Sequence, residues 1–157
     1  MSNTDIVTKF FECYKAHDYK GMHSCLDENV KFSDFAFDIQ GEQVRAMWHW
    51  FCVPYQQREK PVDIPKFKII QSDADIVIAE YRVKYLYGDK QRPVDYFIKA
   101  NFVIQNGKIV EQTDVFSNIS DSEFAEKALG FPLQLLALIP KFLRYAVNKT
   151  ANKKLNQ

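Results

Sequence analysis

The sequence predicts an α+β fold in which a curved antiparallel sheet is covered on one face by N-terminal helices. Three observations carry this prediction. Near the N-terminus, Ile6, Val7, Phe10, Phe11, Cys13 and Tyr14 recur at helical spacing. From Phe67 to Ser117 the pattern changes to strand-like runs rich in β-branched and aromatic residues. Between two of these runs stands Asn106-Gly107, a pair suited to a type I′ hairpin turn because that turn needs positive φ at both positions.

Taken in order, residues 4–17 read as an amphipathic helix, with Thr4 or Asn3 as cap. Asp18 caps a short second helix that turns Met22, Cys25 and Leu26 inward. Residues 29–37 read as the first strand and Gly41 to Phe51 as a third helix carrying Met47, Trp48 and Phe51. Pro54, Pro61 and Pro65 make the next segment a loop. A meander follows: Phe67 to Gln71, Ile76 to Tyr87, Pro93 to Gln105 and Lys108 to Ser117. Ser120-Asp121-Ser122-Glu123 is a capping-box pattern opening a helix that runs to about Leu129, where Gly130 ends it. Pro132 starts a last helix, bent at Pro140, that reaches toward Lys149. The expected organisation is one domain over 1–130, with an amphipathic helix and basic tail over 131–157 belonging to it.

Composition bounds the function. At 157 residues the chain is long enough for a real core. Aromatic residues make up 15% of it, enough to fill a core or wall an apolar pocket. A net charge of +1 implies no general attraction to nucleic acid. Cys13, Cys25 and Cys52 are scattered and odd in number, without a Cys-x-x-Cys pair, so they read as buried free thiols. The start of the chain has no basic region followed by an apolar stretch, and the longest apolar run, Leu133 to Pro140, is too short to span a bilayer. The expectation is a soluble, cytoplasmic protein.

Two carboxylates stand out. Asp34 lies in Val30-Lys31-Phe32-Ser33-Asp34-Phe35-Ala36-Phe37, and Asp114 in Ile109-Val110-Glu111-Gln112-Thr113-Asp114-Val115-Phe116. An ionised carboxylate in an apolar run is costly to bury without a partner. If both face one cavity, at least one acquires a shifted pKa and serves as a general acid or base.

A two-residue turn at Asn106-Gly107 places Lys99 opposite Asp114, Phe97 opposite Phe116, Asn101 opposite Gln112 and Val103 opposite Val110. Centring the preceding hairpin on Asp89-Lys90 places Glu80 opposite Lys99, Arg82 opposite Phe97 and Lys84 opposite Asp95. One face then carries Glu80, Lys99 and Asp114 in a row, flanked by Arg82, Asn101 and Gln112. The other face carries Val77, Ala79, Tyr81, Val83, Tyr85, Val94, Tyr96, Ile98, Ala100, Phe102 and Ile104. Two readings follow. In one, the apolar face is core and the polar row is a solvated surface. In the other, the polar row lines a cavity beneath the helices and the apolar face is a subunit interface.

Ile6-Val7-Thr8-Lys9-Phe10-Phe11, Ala16-His17-Asp18-Tyr19-Lys20-Gly21-Met22 and Leu26-Asp27-Glu28-Asn29-Val30-Lys31-Phe32-Ser33-Asp34 together resemble the ketosteroid isomerases and the wider nuclear transport factor 2-like superfamily. Asn106-Gly107-Lys108-Ile109 followed by Asp114-x-Phe116 is similar to a strand of the SnoaL-like polyketide cyclases and limonene epoxide hydrolases. The resemblance spans roughly residues 4–129. It implies a cone-shaped, strongly curved sheet wrapped around the N-terminal helices, with extra C-terminal helices. It also implies that the Asp114 strand pairs with the first strand, so that Asp34 and Asp114 line one conical pocket. Asp34 falls where the isomerases keep a proton-shuttling Asp, and Asp114 where the cyclases and epoxide hydrolases keep a catalytic one.

The departures matter too. The oxyanion-hole Tyr and protonated Asp of the isomerases are matched by Phe10 and, approximately, Ala100, which cannot donate. In place of the epoxide hydrolases' Arg-x-Asp stands Glu80-Tyr81-Arg82, in reversed order. The activity expected from the resemblance is therefore binding of a small apolar molecule (polyketide-, steroid- or terpenoid-like), with Asp34 as base and Asp114 as acid or second base tuned by Lys99. This is isomerase, cyclase or dehydratase chemistry without a cofactor. The alternatives are a non-catalytic binder and an interaction module. Tyr14, Phe32, Trp48, Glu80, Arg82, Phe97, Lys99, Asn101, Gln112 and Phe116 are the candidate ligand-binding residues, and a homodimer through the sheet is expected.

His17, His23 and His49 are isolated, with no metal-ligand spacing. No phosphate loop or Gly-x-Ser-x-Gly elbow is present. The segment from Phe131 to Lys154 mixes leucines with lysines and reads as an amphipathic helix packed on the body or on a partner. A lid over the pocket or a membrane-surface helix are its other readings.

Overall fold

The computed structural model describes residues 1–35, 37–53, 62–87 and 91–116. The turn expected around Asp89-Lys90, Pro54, Pro61, Ser117, the helices expected beyond it and the basic tail lie outside the described residues.

Helix α1 (Asn3–Lys15) opens on Ser2, one or two residues before the expected cap. The Ser2 hydroxyl accepts from the Asp5 backbone N–H at 3.2 Å, and the Asp5 carboxylate accepts from the Ser2 N–H at 2.8 Å. This reciprocal arrangement satisfies two groups a helix start leaves open. Helix α2 (Tyr19–Cys25) is capped by Asp18, whose carboxylate accepts from Gly21 N–H at 2.9 Å. A Cβ at Gly21 would lie 2.3 Å from the Asp18 carboxylate and 2.5 Å from Cys13 Sγ, so any other residue there would have to displace the capping carboxylate.

The described strands are β1 (Leu26–Ser33), β2 (Asp38–Gln40), β3 (Asp63–Asp73), β4 (Ile76–Tyr87), β5 (Arg92–Gln105) and β6 (Lys108–Phe116), with α3 (Glu42–Cys52) between β2 and β3. They form one sheet in the order β2-β1-β6-β5-β4-β3. The sheet is mixed, because β1 runs parallel to β6 and every other neighbouring pair is antiparallel. The expectation of a wholly antiparallel sheet is corrected at that one pairing, where α3 and the rest of the sheet intervene in sequence and supply the crossover a parallel pair needs. Strand β3 begins earlier than expected and includes Pro65, with its pairing shifted between Asp63 and Lys66. A residue without an N–H suits such an irregularity.

One face of the sheet packs on the helices. Val77, Ala79, Tyr81, Val83, Val94, Tyr96, Ile98, Ala100, Phe102 and Ile104 are buried there with Phe10, Phe11 and Tyr14 of α1 and Trp48 of α3. This apolar face is the core, so the reading that leaves it open as a subunit interface is corrected. Aromatic edges hold the layers together: Phe10 meets Trp48 at 5.3 Å and Phe102 at 5.9 Å, and Phe11 meets Tyr81 at 5.0 Å between ring centroids.

The β4–β5 register is the expected one, with Glu80 opposite Lys99, Arg82 opposite Phe97 and Lys84 opposite Asp95. The β5–β6 register is not. Asn106 and Gly107 do have positive φ, 51° and 74°. Pairing starts as expected, with Gln105 opposite Lys108 and Ile104 opposite Ile109, then shifts so that Val103 faces Glu111. Val110 is the extra residue of a β-bulge. Beyond it every side chain of β6 changes face: Asp114 lies opposite Ala100, Gln112 opposite Phe102 and Phe116 opposite Ile98.

Candidate active site

The bulge delivers Asp114 to the helix-covered face, where it is only 5% exposed. Two side chains receive its carboxylate. The Tyr81 hydroxyl donates to Oδ2 at 2.5 Å, and Gln112 Nε2 donates to Oδ1 at 2.9 Å. Burial dominates its titration and pushes the carboxyl up to about 7, against the opposing pull of the two hydrogen bonds, while the nearby charge of Asp34 adds to the rise. A group with such a value holds and releases a proton near neutral pH, as a general acid–base catalyst must. Tyr81 is fully buried, and burial together with the Asp114 charge drives its phenol well above the usual range. It therefore stays protonated and acts as a donor.

Asp34 sits just past the end of β1, half-buried, in the turn leading to β2. Its Oδ1 accepts from the Phe37 N–H at 2.6 Å, and its own N–H donates to the Phe37 carbonyl at 2.9 Å. The pairing of Phe32 with Gln112 runs in parallel toward Asp34 and Asp114, two residues further along each chain. The expected β1–β6 neighbourhood is present, and Asp34 acts electrostatically on both Asp114 and Tyr81.

Three of the sequence-nominated aromatics converge on this interior. Trp48 meets Tyr14 at 5.3 Å and Phe32 at 5.5 Å, and Tyr14 lies near enough to raise the Tyr81 phenol further. Phe116 is partly buried at the end of β6, against Phe35 at 5.3 Å and Tyr96 at 5.8 Å. Two buried polar atoms here have no hydrogen-bond partner among the described residues, the indole Nε1 of Trp48 and the amide Oε1 of Gln112. Each such atom costs about 1–3 kcal/mol when left unsatisfied.

The other nominees are on the far side of the sheet. Arg82 makes a two-pronged ion pair with Asp95 at 2.7 and 2.8 Å and lies 5.7 Å from the Phe97 ring. Lys66 lies 4.9 Å from the same ring. Glu80 pairs with Lys68 at 3.2 Å. Lys99 is exposed, opposite Glu80 and Val115, and Asn101 lies opposite Thr113. The expected pairing of Lys99 with Asp114 is not formed, because the bulge turns Asp114 to the opposite face. Nor do Glu80, Arg82, Phe97, Lys99 and Asn101 share a face with it. The residue sequence reasoning misses is Tyr81, which it places on the apolar face (core in one reading, subunit interface in the other) and not at the site. The available signal is that a buried tyrosine hydroxyl needs a partner, but Tyr85 and Tyr96 share that face, so the sequence does not single out Tyr81.

An open groove of about 660 Å³ runs beside β1 and β2, lined by Lys31, Ser33, Asp38, Gln40, Gln43 and Glu111 among others. Phe32 lines this groove as well as meeting Trp48, while Lys31 and Glu111 are exposed at its side. Among the described residues no cluster of three or more His, Cys, Asp or Glu could hold a metal ion. His17 and His23 each bond a backbone carbonyl, of Val62 at 3.0 Å and of Arg45 at 2.8 Å. No described helix is long and apolar enough to cross a membrane.

The fold is shared with solved proteins of low sequence identity. A candidate polyketide cyclase from Pseudomonas putida KT2440 is 19% identical, with a TM-score of 0.65 over 82% of this chain and 98% of that one. A second, from Silicibacter sp. TM1040, is 22% identical, with a TM-score of 0.63 over 80% and 93%. An LEH-like epoxide hydrolase from M. tuberculosis is 17% identical, with a TM-score of 0.59 over 88% and 96%. No functionally curated protein matches the sequence. The model of the SnoaL-like domain matches residues 7–112. Its span takes in both helices of the N-terminal layer and the sheet as far as Gln112, and the chain belongs to the SnoaL-like domain family of the nuclear transport factor 2-like superfamily.

Proposed function

We propose that the interior around Asp114 binds a small apolar molecule and that Asp114 moves a proton on it. The observation that carries this reading is a buried carboxylate near neutral pKa, held by a tyrosine and a glutamine and ringed by aromatic side chains. With its proton removed, Asp114 takes one from a carbon next to a ligand carbonyl, and the electron pair of that C–H bond moves to the carbonyl oxygen as an enolate. Returning the proton to the same or another carbon completes an exchange or an isomerisation. Asp34 is the second carboxylate, and its charge favours the protonated form of Asp114. The cyclase and epoxide hydrolase among the structural relatives suggest ligands of polyketide or terpenoid size.

The test is α-proton exchange of α-tetralone in deuterated buffer, followed by NMR. The reading expects exchange above the buffer rate, rising through a pH midpoint near 7 and abolished in Asp114→Asn. Exchange at the buffer rate, with the ketone bound, contradicts it.

Phe10 and Ala100, in place of oxyanion donors, favour a second reading, a binder without turnover. On that reading Asp114→Asn keeps its ligand affinity. For assembly, we place self-association on the outer face of the sheet, where Ile76, Leu86 and Val115 are exposed. Sedimentation at graded concentration tests it, and a monomer throughout contradicts it.

A further inference from the structure

The Trp48 indole N–H and the Gln112 amide oxygen are both buried, 2% and 1% exposed by residue, and neither has a partner among the described residues. They flank the same aromatic group. Trp48 meets Phe32 at 5.5 Å and Phe10 at 5.3 Å. Gln112 pairs along the sheet with Phe32 on one side and Phe102 on the other, and Phe102 meets Phe10 at 5.9 Å. The ionised form of Asp114, the form that acts as base, sets the orientation of the Gln112 amide. Its NH2 faces the Asp114 carboxylate at 2.9 Å, so turning the amide over would set two acceptors against each other whenever Asp114 is ionised. With Asp114 ionised, the Gln112 amide oxygen next to it and the indole N–H of Trp48, which meets the Phe32 that pairs with Gln112, have no partner among the described residues, and buried polar groups are normally satisfied.

We propose that Trp48 and Gln112 form a polar subsite for a hydroxylated ketone. The ligand's carbonyl oxygen accepts from the indole N–H, and its hydroxyl donates to the Gln112 amide oxygen. The proposal rests on the reading of this interior as a ligand site and adds the polar handles that ligand carries. An apolar skeleton contributes affinity without discrimination. An unpaired donor and acceptor discriminate, because a ligand lacking either group leaves a buried atom unsatisfied.

The test is calorimetric titration of the full chain with one skeleton carrying neither polar group, either one or both: tetralin, α-tetralone, tetrahydronaphthol and the ring isomers of hydroxy-α-tetralone. Each matched polar group should tighten binding by about tenfold, so that the best hydroxy ketone binds on the order of a hundredfold more tightly than tetralin. Within each variant, Trp48→Phe should erase the affinity ratio of α-tetralone to tetralin and Gln112→Leu the ratio of hydroxy-α-tetralone to α-tetralone. With nitrogen-15-labelled tryptophan, the indole proton of Trp48 should move downfield with α-tetralone and stay in place with tetralin. Equal affinity for all of these compounds overturns the subsite while leaving the reading of this interior as a ligand site standing. This result needs only the wild-type chain, so it decides the matter even where a variant fails to fold. If none of these compounds binds, the subsite and the ligand-site reading fall together.

Discussion

Asp95 and Asp114 stand on neighbouring strands of one sheet, and their carboxyls are driven in opposite directions. Asp95 lies on the outer face. Arg82 donates two hydrogen bonds to it and Lys84 adds its charge from 3.8 Å, so its pKa falls below the ordinary 3.8. Asp114 lies on the inner face with neutral donors only, and burial raises its pKa to about 7. The outer carboxylate is stabilised as an anion by cations that water also screens. The inner one is denied both water and a cation, and it retains its proton toward neutral pH. Proton chemistry belongs to the second environment, and the bulge at Val110 decides which residue occupies it.

The largest expected effect breaks the inner half of this comparison by pH. Because Asp114 binds its proton more tightly in the folded than in the unfolded chain, stability falls as pH rises from the ordinary 3.8 through about 7. The loss should be on the order of 4 kcal/mol, at about 1.4 kcal/mol per pH unit. Asp114→Asn should flatten this dependence and leave the variant more stable than the wild type at pH 9, as replacing a strained functional group often does. Urea unfolding across pH measures both. A wild-type profile that instead falls on acidification through pH 4 to 6 would speak against the burial of Asp114.

Asp114→Ala comes next. At pH 5 it leaves the Tyr81 hydroxyl buried without its acceptor, a cost of about 1–3 kcal/mol. Tyr81→Phe is milder, about 1 kcal/mol by urea unfolding, but it removes a bond that favours the anion. The Asp114 titration should therefore move further up, and an unchanged midpoint would show that the hydroxyl does not bond the carboxylate in solution. The smallest effect sharpens the outer half. Arg82→Ala should cost less than Tyr81→Phe, and less still in high salt, because its ion pair with Asp95 is screened by water. A loss larger than that of Tyr81→Phe would invert the contrast between the faces.

Much of the fold was legible because its signals are local. The helical spacing of Ile6, Val7, Phe10, Phe11 and Tyr14 marks α1, the Asp18–Gly21 cap marks α2, and Asn106-Gly107 marks the hairpin. The β4–β5 register followed from strand length and a symmetric turn. The register of β6 did not, because one bulged residue reverses facing without leaving a turn residue behind. The burial of Ile109, Gln112 and Asp114, an odd step followed by an even one, records the bulge in the structure. In the sequence, Gln112 and Asp114 alternate plausibly on either face. Hence Asp114 was identified while its partner was not: Lys99 stood in for Tyr81. The parallel β1–β6 contact spans most of the described chain and has no local signature, so only the family resemblance brought Asp34 toward Asp114.

The most direct measurement is the titration of the Asp114 side-chain carboxyl by carbon-13 NMR, assigned by its loss in Asp114→Asn. The account predicts a midpoint near 7, insensitive to salt and raised in Tyr81→Phe. A midpoint near the ordinary 3.8, lowered further by a nearby lysine and sensitive to salt, would place Asp114 on the outer face beside Lys99 and contradict it.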